Sequence, residues 1–320
     1  MSEVFHTILL VALPASGKSE LRNLMAHMPA DQLKVEFHIG ETLQLDDFPY
    51  VHLMRRIDEE LTAIGEPPVY YPGNNPFYDP RDWGTLIQLL NEDYNDLLNR
   101  NTVHPDSAAE YLLERIDRAS LAVGLPPRNA LLKEDVRRQI AAKLETEARA
   151  MLEEKQAQYP ESFEGKTIII ECARGGPDGA SMPLTGAYGY QYSFAQLSPE
   201  ILEHAAVLYI LVTPEESRRK NFERTDPDDP GSNLFHGVPL SVMLGDYGCD
   251  DMQYLLDTSG KPDTIVIHAY GREYDLPAGV FDNRKDMTSF LRQDPSEWDP
   301  EMLKEVTQAL KAVTDRMQRI

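Results

Sequence analysis

Apolar residues along this chain fall into two patterns. Short continuous aliphatic runs, rich in β-branched residues, occupy Phe5 to Ala12 (FHTILLVA), Val35 to Ile39, Thr167 to Cys172 (TIIIEC), Val207 to Val212 (VLYILV) and Thr264 to Ala269 (TIVIHA). Such runs suit strands buried on both faces of a parallel sheet. Helical spacing separates them. It predicts helices over Lys18 to Met28, over Tyr50 to Ile64 with a stop at Gly65, and over Pro214 to Arg224 with Thr213 and Glu216 placed as a capping box. A last amphipathic helix is expected from Pro300 onward. The alternation predicts an α/β fold: a three-layer, doubly wound parallel sheet of about five strands with right-handed crossovers.

The second and third runs stand more than a hundred residues apart, far more than one crossover helix requires. The intervening stretch carries Leu86, Leu89, Leu90, Leu97 and Leu98, then Val136, Ile140, Leu144, Ala148 and Leu152 at intervals of four, a spacing that reads as core-facing helix. A helical subdomain is therefore expected at residues 83–160 as a substrate cover, inserted into an α/β core of residues 1–82 and 161–320. A loop rich in Pro, Gly, Asn and Tyr (EPPVYYPGNNPFYDP) leads into it.

Composition narrows the classes. Hydrophobic residues make up 42% of the 320 and charged residues 26%, ordinary globular usage that excludes collagen-like and low-complexity chains. The longest aliphatic run, Ile8 to Leu13, is six residues, against the roughly 20 that a membrane-spanning helix needs. No basic start precedes it, so a cytoplasmic protein without a membrane partner is expected. Two cysteines, Cys172 and Cys249, exclude a disulfide framework. Lys and Arg total 31 against 53 Asp and Glu, a formal charge of -22, which opposes binding to nucleic acid. A polyanionic substrate would then need a local cationic cluster.

Arg218, Arg219, Lys220 and Arg224 form one such cluster, and a further candidate anion site follows the first run. ALPASGKS, Ala12 to Ser19, lies where a strand gives way to a helix, and it resembles the P-loop of P-loop NTPases, with Gly17, Lys18 and Ser19 matching G-K-[ST] and Ala12 in place of the usual first Gly. The resemblance implies ATP and Mg²⁺. Ala12, Leu13, Pro14, Ala15, Ser16, Gly17, Lys18, Ser19 and Glu20 form the candidate nucleotide-binding set: backbone N–H groups wrap a phosphate, Lys18 reaches the β and γ oxygens, and the Ser19 hydroxyl ligates the metal. Glu171, at the end of TIIIECARGG, is similar to a Walker B acid and is the second candidate metal residue. Arg174 follows it. In deoxynucleoside kinases, which this segment resembles, the Glu and Arg are adjacent, whereas Cys172 and Ala173 intervene here.

Asp46 and Asp47 precede the second helix. In the nucleoside kinase-like fold that the resemblance implies, an acid there would face the acceptor hydroxyl as general base or orienter, while the residues alone fit an acid pair favouring the helix dipole equally well; Asp47 is the candidate, with Arg55 or Arg56 as a substrate-anion contact. TPEESRRKNFERTDPDD resembles the lid of nucleoside and nucleotide kinases. Arg219 and Lys220 have Glu215 and Glu216 four residues upstream, but Arg218 and Arg224 have no acid there, and these two are the lid candidates. GAYGYQYSF, Gly186 to Phe194, offers rings to stack on a planar substrate or to pack inside.

The reading is a P-loop kinase moving the γ-phosphoryl group of ATP to a small-molecule acceptor: a nucleoside, a nucleotide, or a sugar derivative of the kind zeta-toxin kinases use. The alternative is a P-loop nucleotide-binding regulatory protein with weak or no ATPase activity, which has no need of an acceptor carboxylate.

Overall fold

The computed structural model describes residues 4–223 and 237–319. The chain begins with β1 (Thr7–Val11), all five residues of which are buried, followed by α1 (Lys18–His27), α2 (Ala30–Phe37), β2 (Glu41–Asp46) and α3 (Phe48–Ala63). Three long helices come next: α4 (Asp82–Asn99), α5 (Ala108–Ala122) and α6 (Glu134–Ala157). The chain then runs through β3 (Lys166–Cys172), α7 (Gly189–Phe194), α8 (Pro199–Leu202), β4 (Ala205–Leu211) and α9 (Pro214–Glu223). The described part closes with α10 (Leu240–Gly245), α11 (Met252–Thr258), the pair β5 (Thr264–Ala269) and β6 (Arg272–Asp282), and α12 (Pro300–Met317). No helix among the described residues is long and apolar enough to cross a membrane.

The six strands form one sheet in the order β2-β3-β1-β4-β6-β5, parallel except where β5 meets β6. Both faces are covered. Ile8 and Leu10 pack with Leu21, Leu24 and Phe37 of α1 and α2 and with Val306 and Leu310 of α12. Leu9 and Val11 point the other way, onto Ile87, Leu90 and Tyr94 of α4 and Phe194 of α7. The result is a mostly parallel, three-layer α/β sheet. Helix α4 serves two cores at once, because its Leu86 and Leu89 face the separate cluster built from α3, α5 and α6. The helices within residues 83–160 are thus joined to the sheet through α4.

One strand expectation is corrected and one strand is added. Val35 to Ile39 is not a strand: Val35 and Phe37 end α2, and His38 turns the chain with φ 57°. Leu33 and Phe37 are buried while Val35 is 67% exposed, so the period here is helical. The strand follows immediately as ETLQLD, whose alternation suits its place at the sheet edge, where one face is only half covered. The added strand is β6. It contains Pro277 and Gly279 and few continuous apolar residues, yet it pairs β4 on one side and β5 on the other. Tyr270 and Gly271, both with positive φ, make the two-residue hairpin that brings it back.

Chain order and sheet order together set the working edge. From β1 the chain moves to one side for β2 and β3 and to the other for β4 and β6, so the order reverses at β1. In open α/β sheets ligands settle outside the carboxyl ends of the strands at such a reversal.

Candidate functional site

The loop between β1 and α1 occupies that reversal. Ala15 (φ 56°) and Gly17 (φ 108°) both adopt left-handed backbone, which folds the loop back over the strand end. A β-carbon at position 17 would come within 2.5 Å of the Thr288 hydroxyl and 2.8 Å of Asn283 Nδ2, so the position needs glycine for space as well as for φ. The loop's carbonyls are bonded to the protein: Tyr190 donates to Ala12 O (3.0 Å), Ser16 to Leu13 O (2.6 Å), Ser217 to Pro14 O (2.6 Å) and Asn283 to Ser16 O (2.8 Å). No side chain caps α1 at Gly17. Its first-turn N–H groups, which every helix leaves unpaired, therefore stand beside the pocket with the Lys18 ammonium, an arrangement that favours an anion.

This loop is one wall of a pocket of about 1050 Å³. Residues Pro14 to Glu20 line it; Ala12 and Leu13 of the expected binding set lie buried beneath. Glu20 reaches the pocket edge, but its carboxylate is held 2.6 Å from Arg292, as part of the packing of α1. Ser19 and Glu171 both line the pocket, as does Asp46. Strand register brings the acids together, since Asp46 of β2 stands opposite Glu171 of β3, and Glu171 opposite Leu10 of β1. Arg22 Nη1 lies 2.6 Å from Glu171 Oε2 and 3.6 Å from Asp46 Oδ2, and Lys18 Nζ is 4.0 Å from Glu171 Oε1. Arg22 was not among the expected residues, although it sits one helical turn beyond Lys18. Burial pushes the Asp46 carboxyl up to about 8, with the charges of Glu171 and Asp47 acting in the same direction.

The two neighbouring acids have different tasks. Asp46 Oδ1 accepts the Phe48 N–H (2.8 Å) at the start of α3, whereas Asp47 caps nothing and turns inward. Asp47 Oδ2 lies 2.6 Å from Nη1 of Arg174, and both side chains are nearly inaccessible. Burial raises the Asp47 carboxyl and the Arg174 guanidinium beside it draws it partly back. Arg174 does not line the pocket. It is sandwiched below, 4.9 Å over the Trp83 ring and bonded to Ser193, so it positions Asp47 from beneath the pocket. The Cys172 thiol is pushed up to about 12 by burial, which makes it a poor nucleophile.

Opposite the loop, the pocket is aromatic. Tyr71 stacks on Phe77 (4.3 Å), Phe77 meets Trp83 edge-on (5.0 Å), and Trp83 meets Tyr247 at 5.5 Å. Trp83 is the residue of the 83–160 stretch that lines this pocket; the other helices of that stretch contribute to a neighbouring cavity of about 1150 Å³ between α3 and α6, which shares Arg22 and Asp46. Arg55 lines the aromatic end with its guanidinium 4.0 Å from the Tyr71 ring centre, while Arg56 is engaged with Glu59, Glu60 and Glu147 outside the pocket. Tyr71, Trp83, Asp246 and Tyr247 were not anticipated. The Pro- and Tyr-rich loop pointed to the first, and an acid within the otherwise apolar LGDYG pointed to Asp246.

The remaining candidates lie elsewhere. Arg218 is on α9 outside the pocket lining, paired with Asp178 (3.2 Å) and, three residues upstream, Glu215 (3.4 Å). It does have an acidic neighbour, at a spacing of three and not four. Arg219 pairs with Glu216 and Glu223, and the buried Lys220 lies 2.7 Å from Asp286. Arg224 falls outside the described residues. Of the tyrosine-rich segment, Tyr190 is fully buried against the β1–α1 loop and none of its rings lines the pocket. Among the described residues no group of three or more His, Cys, Asp or Glu is arranged to hold a metal ion. No protein-family model, curated protein or solved structure matches the chain.

Proposed function

We propose that this protein is an ATP-dependent phosphotransferase of the P-loop kinase type, acting on a small-molecule acceptor. One observation carries the reading: Lys18 and the β1–α1 loop, the carboxylates Glu171 and Asp46, and the inward-facing Asp47 all line a single pocket that continues into an aromatic chamber. The loop end suits phosphates, and the chamber leaves room for a second molecule. A regulatory nucleotide-binding protein would need the first end alone, so the carboxylate held by Arg174 beside the chamber favours the kinase.

Mg²⁺ fits the donors present, because the Ser19 hydroxyl and the Glu171 carboxylate supply hard oxygens and the ion commonly completes its shell with water and substrate phosphate. When bound, it would neutralise charge on the transferring phosphoryl group. Lys18 and the first N–H groups of α1 would hold the phosphate chain. Asp47 would orient the acceptor hydroxyl and take its proton as the oxygen forms its bond to the γ-phosphorus and the bond to the β–γ bridging oxygen breaks, leaving ADP. Arg174 would keep Asp47 aimed.

The test is ADP release from Mg·ATP in the presence of nucleosides, nucleotides and sugars, with Lys18→Ala as the control. Acceptor-dependent release is expected, and Lys18→Ala should weaken ATP binding by about 10²-fold or more while the protein still unfolds cooperatively. Undiminished ATP affinity in a folded Lys18→Ala protein would overturn the assignment.

A further inference from the structure

Helix α9 docks through polar side chains. Its buried residues are Ser217, Lys220 and Asn221, while Phe222 is 83% exposed, the reverse of the usual apolar stripe. Two of the three grip walls of the pocket. Ser217 donates to Pro14 O of the β1–α1 loop (2.6 Å), and Asn221 exchanges two hydrogen bonds of 2.8 Å with the backbone of Val238. Lys220 reaches neither wall. Its side chain is 2% exposed, and its Nζ lies 2.7 Å from Asp286 Oδ1 in the turn after β6. That turn is bonded to the loop. Asp286 has left-handed backbone (φ 54°), donates its N–H to Asn283 O (3.1 Å) and accepts the Ser289 hydroxyl (2.8 Å). Asn283, fully buried, donates from Nδ2 to Ser16 O (2.8 Å) and Thr288 Oγ1 (2.8 Å) and accepts the Met287 N–H (2.7 Å). Asn283 and Thr288 are also the residues packed against Gly17. Lys220 is therefore linked, through Asp286 and Asn283, to the two residues that precede Lys18. An apolar side chain would dock α9 without the cost of burying a charge, so what the lysine adds is a fixed place for Asp286.

We propose that Lys220 is a positioning residue of the β1–α1 loop: by holding Asp286 it fixes the 283–289 turn, and the turn keeps Ser16 and Gly17 in the shape that receives phosphate. Lys220 touches no ligand itself. The proposal rests on the kinase reading for the phosphate, but the order of the loop is measurable in the empty protein. The full chain is compared with Lys220→Met, Asp286→Asn and the double variant, by amide order parameters from ¹⁵N relaxation and by calorimetric titration with Mg·ATP. Met keeps the length and apolar stem of the lysine. Asn at 286 tolerates positive φ and can still accept from Ser289, so each change removes a charge and spares the turn.

In the empty parent the amides of Ser16 and Gly17 should be as ordered as those of β1, at about 0.85, and in each single variant they should fall toward about 0.6 while β1 is unmoved. Mg·ATP should bind about 10-fold or more weakly in each. The double variant should be no worse than the worse single one, because both changes cut the same link. A merely structural ion pair would lower the urea midpoint of unfolding and leave loop order and Mg·ATP affinity where they were. Should Lys220→Met not fold, Asp286→Asn gives the same reading. Loop order unchanged in a folded variant, Mg·ATP affinity unchanged where the parent binds it, or additive losses in the double variant would each overturn the proposal. A parent that binds no Mg·ATP, with the loop still loosened in the variants, would remove the kinase reading and leave the positioning role of Lys220 standing.

Discussion

At its loop end the pocket is made from one stretch of chain, Pro14 to Arg22, set against the ends of two neighbouring strands; its aromatic end is assembled from α3, the loop at Tyr71, the start of α4 and the segment from Val238 to Tyr247. The loop end is held by hydrogen bonds to backbone carbonyls and by two positive-φ residues, so its shape is largely a property of main chain. The aromatic end is held by ring packing and by the buried Arg174–Asp47 pair. A backbone cradle tolerates side-chain change wherever the side chain does not face the ligand. A chamber made of packed side chains does not, because each ring or charge lost leaves a gap or an unpaired neighbour.

The largest effect should come from breaking the aromatic end at its buried pair. Arg174→Met leaves Asp47 without its cation and should cost about 3–5 kcal/mol of stability, measured by urea unfolding. Asp47→Asn alone should be milder for folding but should lower acceptor-dependent turnover about 10²-fold or more with ATP affinity retained. Combining the two should recover part of the lost stability. Equal losses in the single and double variants would mean that the pair is not the support of this end.

The two ends should share one weakness to alkali. Asp46 at the loop end and Asp246 at the aromatic end both titrate above the ordinary carboxylate range, because burial disfavours their charged forms. The native state then keeps protons that the unfolded chain has already released, so stability should fall as pH rises from about 4, the unfolded value, toward the folded values of about 7 and about 8. Asp46→Asn and Asp246→Asn should each flatten part of that slope in thermal melts from pH 5 to 9. A slope unchanged in both variants would place its origin in other groups.

The smallest effect is expected at Ala12. The residue is fully buried, does not line the pocket, and has no positive φ, so Ala12→Gly should leave ATP binding within a few-fold and cost roughly 0.5–1 kcal/mol from the added freedom of the unfolded chain. A large gain in ATP affinity would show that the loop end is less preformed than its hydrogen bonds indicate.

Local pattern accounts for much of this molecule. The buried runs at β1, β3 and β4 could be read directly, since a strand covered on both faces must be continuously apolar, and β5 could be read from its aliphatic run although it lies at the sheet edge with His268 exposed. So could the β1–α1 loop with Lys18, because a turn of that kind draws its residues from consecutive positions. Tertiary structure decided the rest. An edge strand such as β2 is only half covered and needs no continuous run, and β6 takes its partners from β4 and the hairpin and not from its own composition. Both Asp46 and Asp47 line the pocket, but which of them a buried cation holds depended on Arg174, 127 positions beyond Asp47, and the choice of Arg55 over Arg56 depended on where Glu147 and Tyr71 lie. Asp246 and Trp83 became neighbours only when α4 and α10 packed beside α3, because contacts between distant segments are fixed by how helices and sheet bury their common core, and no local spacing records that.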